Sequence, residues 1–370
     1  MKRILLSYLF DFSGHHRACL ALRRGFLLSS PSDVRVEILS PLKSLYPVVT
    51  PRVERIYHRL LRHAPAVWGA LYDRAFVRNT LGAWGVSWLD ARAERLGPLI
   101  AEHRPDGVVC TQAVPCLLAA RYKARRRKSF RLFAVLTDHH PHAFWADPAV
   151  DAYFVPSRYS AELLQKSGVE PGRIHLSGIP VDPDLAPLDR AAKQRLRQRL
   201  GLRPDRANVL VMGGSQGHIP ARALLDALAR LPDDFQVTVV AGRNQRLFKN
   251  LKAIEGSYPK PLRVFPYVDR PEDFLESADV LVTKGGGLTT AEALVLGVPT
   301  VVLKVLPGQE GFNARILARE KNMRMASNAA EAAAETGGFL GRARASGADG
   351  FFPAGDSHSI GIADRVLSAL

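Results

Sequence analysis

Two series of short β-rich apolar runs, each alternating with helix-patterned stretches, constrain this chain more than any other feature of its sequence. Residues 3–9, 34–39, 107–111, 132–137, 153–156 and 174–177 make the first series. Residues 209–212, 236–241, 263–266, 280–283 and 300–303 make the second. Strand-length apolar runs separated by helical patterns predict parallel sheets with crossover helices, and 370 residues leave room for two such domains. Between the series, residues 189–201 are Arg-rich and flanked by Pro183, Pro187 and Pro204, which predicts an exposed helix bridging two domains. The expected organisation is α/β: two doubly wound domains, residues 1–185 and 186–370, with a cleft between them. Residues 361–370 read as a short amphipathic helix able to pack back on the first domain. Residues 46–99 and 326–356 fit neither series.

Charge narrows the partners. Lys plus Arg number 51 against 35 acidic residues, a formal net charge of +16, which favours an anionic partner: nucleic acid, an acidic membrane surface or a phosphorylated substrate. No stretch reaches the roughly 18 apolar residues of a membrane span. The start, Lys2-Arg3 followed by apolar residues 4–10, is cut short at Asp11 and reads as a buried first strand rather than a leader. Cys19, Cys110 and Cys116 are too few and too irregularly spaced for a disulfide framework or a zinc site, so a reducing cytoplasm is expected.

In doubly wound sheets ligands sit beyond the carboxyl ends of the strands, so the loops there carry the candidate chemistry. Lys284-Gly285-Gly286-Gly287-Leu288-Thr289-Thr290-Ala291-Glu292 follows a strand and opens a helix. Its glycines let a ligand approach the backbone, the helix start attracts phosphate, and Glu292 is placed to accept from ribose hydroxyls. Gly308-Gln309-Glu310-Gly311-Phe312-Asn313, after the next strand, suits hydroxyl recognition. Gly213-Gly214-Ser215-Gln216-Gly217 is a third such loop and lacks the Walker ending. Together they predict a nucleotide-sugar pocket. In the first domain, Asp11 and His16 in Asp11-Phe12-Ser13-Gly14-His15-His16 are candidates for a general base and its orienting partner, with helix capping by Asp11 or Ser13 as the alternative. Thr137-Asp138-His139-His140-Pro141-His142, with Trp145 beyond, reads as pocket lining in preference to a metal site.

These residues resemble the monogalactosyldiacylglycerol synthase-like glycosyltransferases, relatives of the N-acetylglucosaminyl transferase that completes lipid II. The resemblance covers about residues 1–320. It rests on Gly-Gly-Gly-x-Thr-x-x-Glu-Ala at 285–293, Gly-Gln-Glu-x-x-Asn at 308–313, Thr137-Asp138 with His142 and Trp145, Gly178-Ile179-Pro180-Val181-Asp182-Pro183, and Gly242-Arg243-Asn244. It implies a GT-B architecture of two Rossmann-like domains, and inverting transfer of a hexose from a UDP-sugar to a lipid hydroxyl without an obligatory metal. Gly285, Gly286, Gly287, Thr289 and Glu292 would hold diphosphate and ribose, with Gly213 and Arg243 on the same nucleotide-sugar side. Gln309, Glu310 and Asn313 would face the sugar, and Val268 would pack on uracil. Asp11 falls at the catalytic Asp and His16 at the patterned His, while Asp138, His142 and Trp145 lie on the acceptor side. The family loop usually reads Asp-x-Gly-Gly-Gly-His; here Ser13 and His15 replace glycines.

On this reading, residues 46–99, with Tyr46, Tyr57, Trp68, Trp84 and Trp88 among many arginines, predict contact with an anionic membrane surface, and a cytoplasmic protein peripherally bound to it. Residues 121–131 can extend the same basic face. An alternative keeps the fold with a non-lipid acceptor or as a UDP-sugar epimerase. A more distant one, a basic nucleic-acid-binding protein, is suggested by charge alone and lacks the expected modules; no nucleic acid is expected as a partner.

Overall fold

In the computed structural model, residues 1–11, 13–63, 92–303, 309–346 and 358–370 are described. They form two compact units, Met1–Pro183 with Ser357–Leu370, and Asp184–Asp356.

The first unit holds a six-stranded sheet, β1 (Lys2–Ser7), β2 (Val34–Leu39), β3 (Gly107–Cys110), β4 (Arg131–Val135), β5 (Ala152–Val155) and β6 (Ile174–Leu176), in the order β2-β1-β3-β4-β5-β6. Every pairing is parallel. Alternate residues feed two cores. Ile4, Leu6, Val109, Phe133, Val135 and Phe154 enter one; Leu5, Val108, Leu132, Ala134, Tyr153 and Val155 enter the other. A sheet buried on both faces is what its continuous apolar strands demand. Helices α1 (Gly14–Ser29), α2 (Pro41–Leu45), α3 (Thr50–His63), α4 (Gly97–His103), α5 (Ala113–Arg126) and α6 (Arg158–Lys166) lie along this part of the chain.

The second unit carries β7 (Ala207–Met212), β8 (Phe235–Val240), β9 (Leu262–Phe265), β10 (Val280–Lys284), β11 (Thr300–Leu303) and β12 (Met323–Ala326) in the order β12-β11-β10-β7-β8-β9, again parallel. Its helices are α7 (Arg190–Arg199), α8 (Ala221–Leu228), α9 (Gln245–Lys252), α10 (Pro271–Ser277), α11 (Gly287–Val295), α12 (Gln309–Leu317) and α13 (Ala329–Ser346). β12 has no counterpart among the five expected strands. Its Met-Arg-Met-Ala is short, and it pairs along the edge through β11 alone.

The segment expected as an exposed bridge is a packed part of the second unit. Leu196 and Arg197 of α7 are buried. The Arg197 guanidinium donates to the Ser277 carbonyl at 3.0 Å and pairs with Asp279. Asp279 also accepts from Lys193 and from the Asn208 backbone. One cation of this otherwise solvent-facing Arg-rich helix, Arg197, is buried here because it is fully partnered. The last helix, α14 (Ser359–Ser368), packs on α1 in the first unit. Gly25 makes this close approach possible, since a Cβ there would lie 2.6 Å from the Ser359 carbonyl oxygen.

Candidate active site

In the second unit the connections leave in opposite directions from β7 and β10, and such a switch point opens the crevice in which these sheets take ligands. The turn after β7 is locked. The His218 amide donates to the Gly213 carbonyl at 2.9 Å and the Gly217 amide to the Gly214 carbonyl at 3.0 Å. Gly214 and Gly217 have φ of +72° and +60°. A Cβ on Gly217 would stand 2.1 Å from the Ala241 carbonyl oxygen, and one on Gly214 3.0 Å from Lys284 Cε. The turn after β8 interlocks with it: Gly242 has φ of +60°, and the Arg243 amide donates to the Ser215 carbonyl at 2.8 Å. Gly217→Ala is therefore expected to cost about 2–4 kcal/mol, from left-handed backbone strain and overpacking. Urea unfolding of the second unit reads this as an earlier transition; an unchanged one contradicts the packing.

The turn after β10 leads straight into α11, whose N-cap is Gly286 without a side-chain cap. The first-turn amides of residues 287–289 are therefore left for an incoming acceptor, and with the helix dipole they make an anion site. α1, α6, α7 and α9 are capped by Ser13, Ser157, Asp189 and Asn244, while α4, α5, α8, α10 and α14 share the lack of a side-chain cap; α11 differs from these in opening on a glycine turn. The turn itself is braced. Asn313, buried on α12, donates from Nδ2 to the Gly285 carbonyl at 3.1 Å, and Thr283 Oγ1 donates to the Met212 carbonyl at 2.7 Å. Thr290 Oγ1 donates to the Gly286 carbonyl at 2.7 Å. Thr289 is half-buried beside it. Glu292 is 3% exposed on the second turn of α11. Arg243 lies over the Tyr267 ring, 6.0 Å from its centroid, next to the half-buried Val268 in the loop after β9.

In the first unit the switch point lies between β1 and β3. Ser13 caps α1, its Oγ accepting from the His16 amide at 3.2 Å. That leaves the Asp11 carboxylate to other donors: the Tyr8 hydroxyl donates to Oδ1 at 2.5 Å and Lys43 Nζ to Oδ2 at 2.6 Å. Burial alone would raise the Asp11 carboxyl, but the hydrogen bonds from Lys43 and Tyr8 outweigh it and hold the group below its ordinary value. His16 stacks on Tyr8 with ring centroids 4.4 Å apart, and burial lowers its imidazole. His15, which replaces a glycine of the family loop, is half-buried, and desolvation pushes its imidazole down to about 4. Its Nδ1 lies 2.9 Å from the Thr111 carbonyl, which can only accept, and 2.7 Å from Thr137 Oγ1. The neutral ring therefore carries its proton on Nδ1 and ties together the loops after β1, β3 and β4.

Asp138 and His142 are half-buried in the loop after β4, where His142 Nδ1 accepts from the Phe144 amide at 3.2 Å. Trp145, expected on the acceptor side, is a core residue packed under α5 and the strands; its large apolar ring is stabilised more by that burial than by a place on the loop. Among the described residues, no three His, Cys, Asp or Glu side chains gather as metal ligands. The side chains of Tyr57, Gln309 and Glu310, together with Phe12, Trp68, Trp84 and Trp88, lie outside the described residues. The sequence reading missed Tyr8 and Lys43. Tyr8 precedes Asp11 by three positions and was readable as its neighbour. Lys43 is separated from Asp11 by 32 positions, and no local signal announces that contact.

Residues 15–181 match the model of the monogalactosyldiacylglycerol (MGDG) synthase family, and residues 208–333 match that of the glycosyltransferase family 28 C-terminal domain. Asp11 lies just ahead of the first match. The processive diacylglycerol beta-glucosyltransferase of Bacillus licheniformis is 33% identical over 222 residues, 60% of this chain and 57% of that protein. The alignment thus spans little more than half the length of this curated relative. MurG of Acinetobacter baumannii shares the fold, with a TM-score of 0.60 at 15% identity over the whole of both chains. A putative UDP-N-acetylglucosamine 2-epimerase of Listeria monocytogenes does so with a TM-score of 0.62 at 17% identity, over all of this chain and 95% of that one. The fold is therefore GT-B, as the sequence implied.

Proposed function

With residues 15–181 and 208–333 matched by those two family models, the chain is a monogalactosyldiacylglycerol synthase-like member of the family 28 glycosyltransferases, and we propose that it moves a hexose from a UDP-sugar to a lipid hydroxyl such as that of diacylglycerol, with inversion. The observation that carries this reading is the uncapped start of α11 in the braced turn after β10, inside the family 28 match. The name of the Bacillus licheniformis relative supports the acceptor class.

Each group has a task in such a transfer. Amides at residues 287–289 take the diphosphate, stabilising the charge that grows on departing UDP without calling on a resident metal. Glu292 accepts from the ribose, and Arg243 and Val268 border the base. Gln309 and Glu310 belong to the sugar side by their match to the family pattern, and Asn313 acts behind them by bracing the glycine turn. Asp11 takes the proton of the acceptor hydroxyl as its oxygen attacks the anomeric carbon, and the glycosidic electron pair leaves on UDP.

A lipid acceptor needs a membrane surface. No helix among the described residues is long and apolar enough to cross one. On α3 and the turn before it, Val48, Val49, Val53 and Ile56 are exposed, Val48 at 74% and Ile56 at 68%, beside exposed Arg52 and Arg55. Apolar side chains among cations suit peripheral docking on an anionic leaflet, and the cytoplasmic face is the one proposed. The test is a reaction with labelled UDP-hexose and vesicles of diacylglycerol with anionic phospholipid, followed by partition between organic solvent and water. Label in the lipid phase is expected. Label confined to a new water-soluble glycoside, or to an interconverted UDP-sugar, overturns the lipid acceptor and favours the alternative reading.

A further inference from the structure

We propose that Lys43 and Tyr8 are positioning residues for Asp11, each holding one oxygen of its carboxylate. This rests on the reading in which Asp11 accepts the acceptor's proton.

The arrangement is built from two separate elements rather than from the loop alone. α2 is fastened to the loop after β1 at its first turn: Ser40 caps it, accepting from the Lys43 amide at 3.3 Å, and Ser40 Oγ donates to the Leu9 carbonyl at 2.7 Å. The same residue's amide, Leu9 N, donates to Gln112 Oε1 at 3.0 Å, which fixes that loop to the one after β3. Lys43 is thereby delivered to Asp11 Oδ2 while Tyr8 holds Oδ1 from within the loop. Tyr8 is buried, and its ring is backed by His16. Lys43 has a side chain 62% exposed, so it is not needed to fill a core, and its defined interaction is the one with Asp11.

The charged and titratable groups around the carboxylate are few. Tyr8 on the loop, Lys43 on α2 and His16 on α1 act on Asp11 itself. Arg23 on α1 acts on His16, and Glu54 on α3 acts on both Tyr8 and Lys43. Each carboxylate oxygen has a second lone pair, so Oδ2 takes a proton from an acceptor hydroxyl while Lys43 remains bound and cationic. The acceptor O–H bond breaks, the oxygen–anomeric carbon bond forms, and the sugar–phosphate bond breaks onto UDP. Tyr8 and Lys43 keep their own protons throughout. Lys43 keeps Asp11 ionised in mildly acid solution and, in the same degree, makes it a weaker base.

The experiment compares Lys43→Met, Lys43→Arg and Tyr8→Phe with the parent chain. The first readout is the pH profile of kcat/KM for lipid glycosylation, and the second is the titration of the Asp11 carboxyl carbon by NMR. In Lys43→Met the acidic limb is expected to move to higher pH, with an additional loss that grows as pH falls and is absent at pH 8. Lys43→Arg restores the limb, and Tyr8→Phe shifts it in the same direction. The Asp11 carbon titrates at higher pH in Lys43→Met, even if no donor yields a glycolipid. An Asp11 titration unmoved by Lys43→Met, or a loss equal at every pH and not rescued by Arg, overturns the proposal. A moved titration without glycolipid from any donor leaves the positioning role standing and overturns only the transferase reading.

Discussion

Asp11→Asn is expected to lower kcat for lipid glycosylation by about 10²–10⁴-fold, the range that a positioned general base contributes, and to leave UDP affinity within about twofold. The change is nearly isosteric, and the Asp11 side chain is only partly exposed among Tyr8, Lys43 and His16, so the loop keeps its shape. The amide cannot accept a proton from the acceptor. The residues assigned to UDP all lie in the second unit, on loops after β7, β8, β9 and β10 and on the first turns of α11. Calorimetry with UDP beside a turnover assay separates the two effects. Turnover retained in Asp11→Asn would move the base to another group, with His16, whose imidazole burial lowers, next in line.

Glu292→Gln is expected to weaken UDP binding by about 10–100-fold, the worth of a hydrogen bond to a charged group in a desolvated site. Glutamine is the variant of choice because Glu292 is 3% exposed; alanine there leaves a cavity whose cost confuses binding with folding. The circular dichroism and urea transition of the variant are expected to match the parent's. Unchanged UDP affinity would remove Glu292 from the nucleotide site.

Much of the fold was legible because it is written in short, nearly continuous apolar runs separated by helical patterns. The central strands of both sheets carry the apolar residues that a sheet covered on both faces requires, and the edge strand β6 carries fewer, with Leu176 exposed. β12 escaped because an edge strand with one neighbour needs less apolar surface, and Met-Arg-Met-Ala has no β-branched residue. α7 was placed outside because its arginines read as solvated. Arg197 is inside because Asp279, 82 positions away, supplies the opposite charge, and pairing across that distance leaves no periodic trace. The site divides along the same line. The glycine turns and the start of α11 were readable because φ, close backbone approach and helix N-termini are local properties. The Tyr8–Asp11–Lys43 arrangement was half readable, since β2 must run beside β1 before Lys43 can reach Asp11. His15 was visible as a departure from the family loop, but its reason, the Thr111 and Thr137 contacts, exists only once β1, β3 and β4 lie side by side.

The central claim is that this chain transfers a hexose from UDP to a lipid hydroxyl with inversion. The most direct measurement supplies UDP-glucose, UDP-galactose and UDP-N-acetylglucosamine in turn to the protein and diacylglycerol vesicles containing anionic phospholipid. The anomeric linkage of any extracted glycolipid is then read by NMR coupling. Lipid product is expected from at least one donor, with anomeric configuration opposite to that of the donor. Tight UDP binding with no lipid product from any donor, or a product of retained configuration, would contradict it.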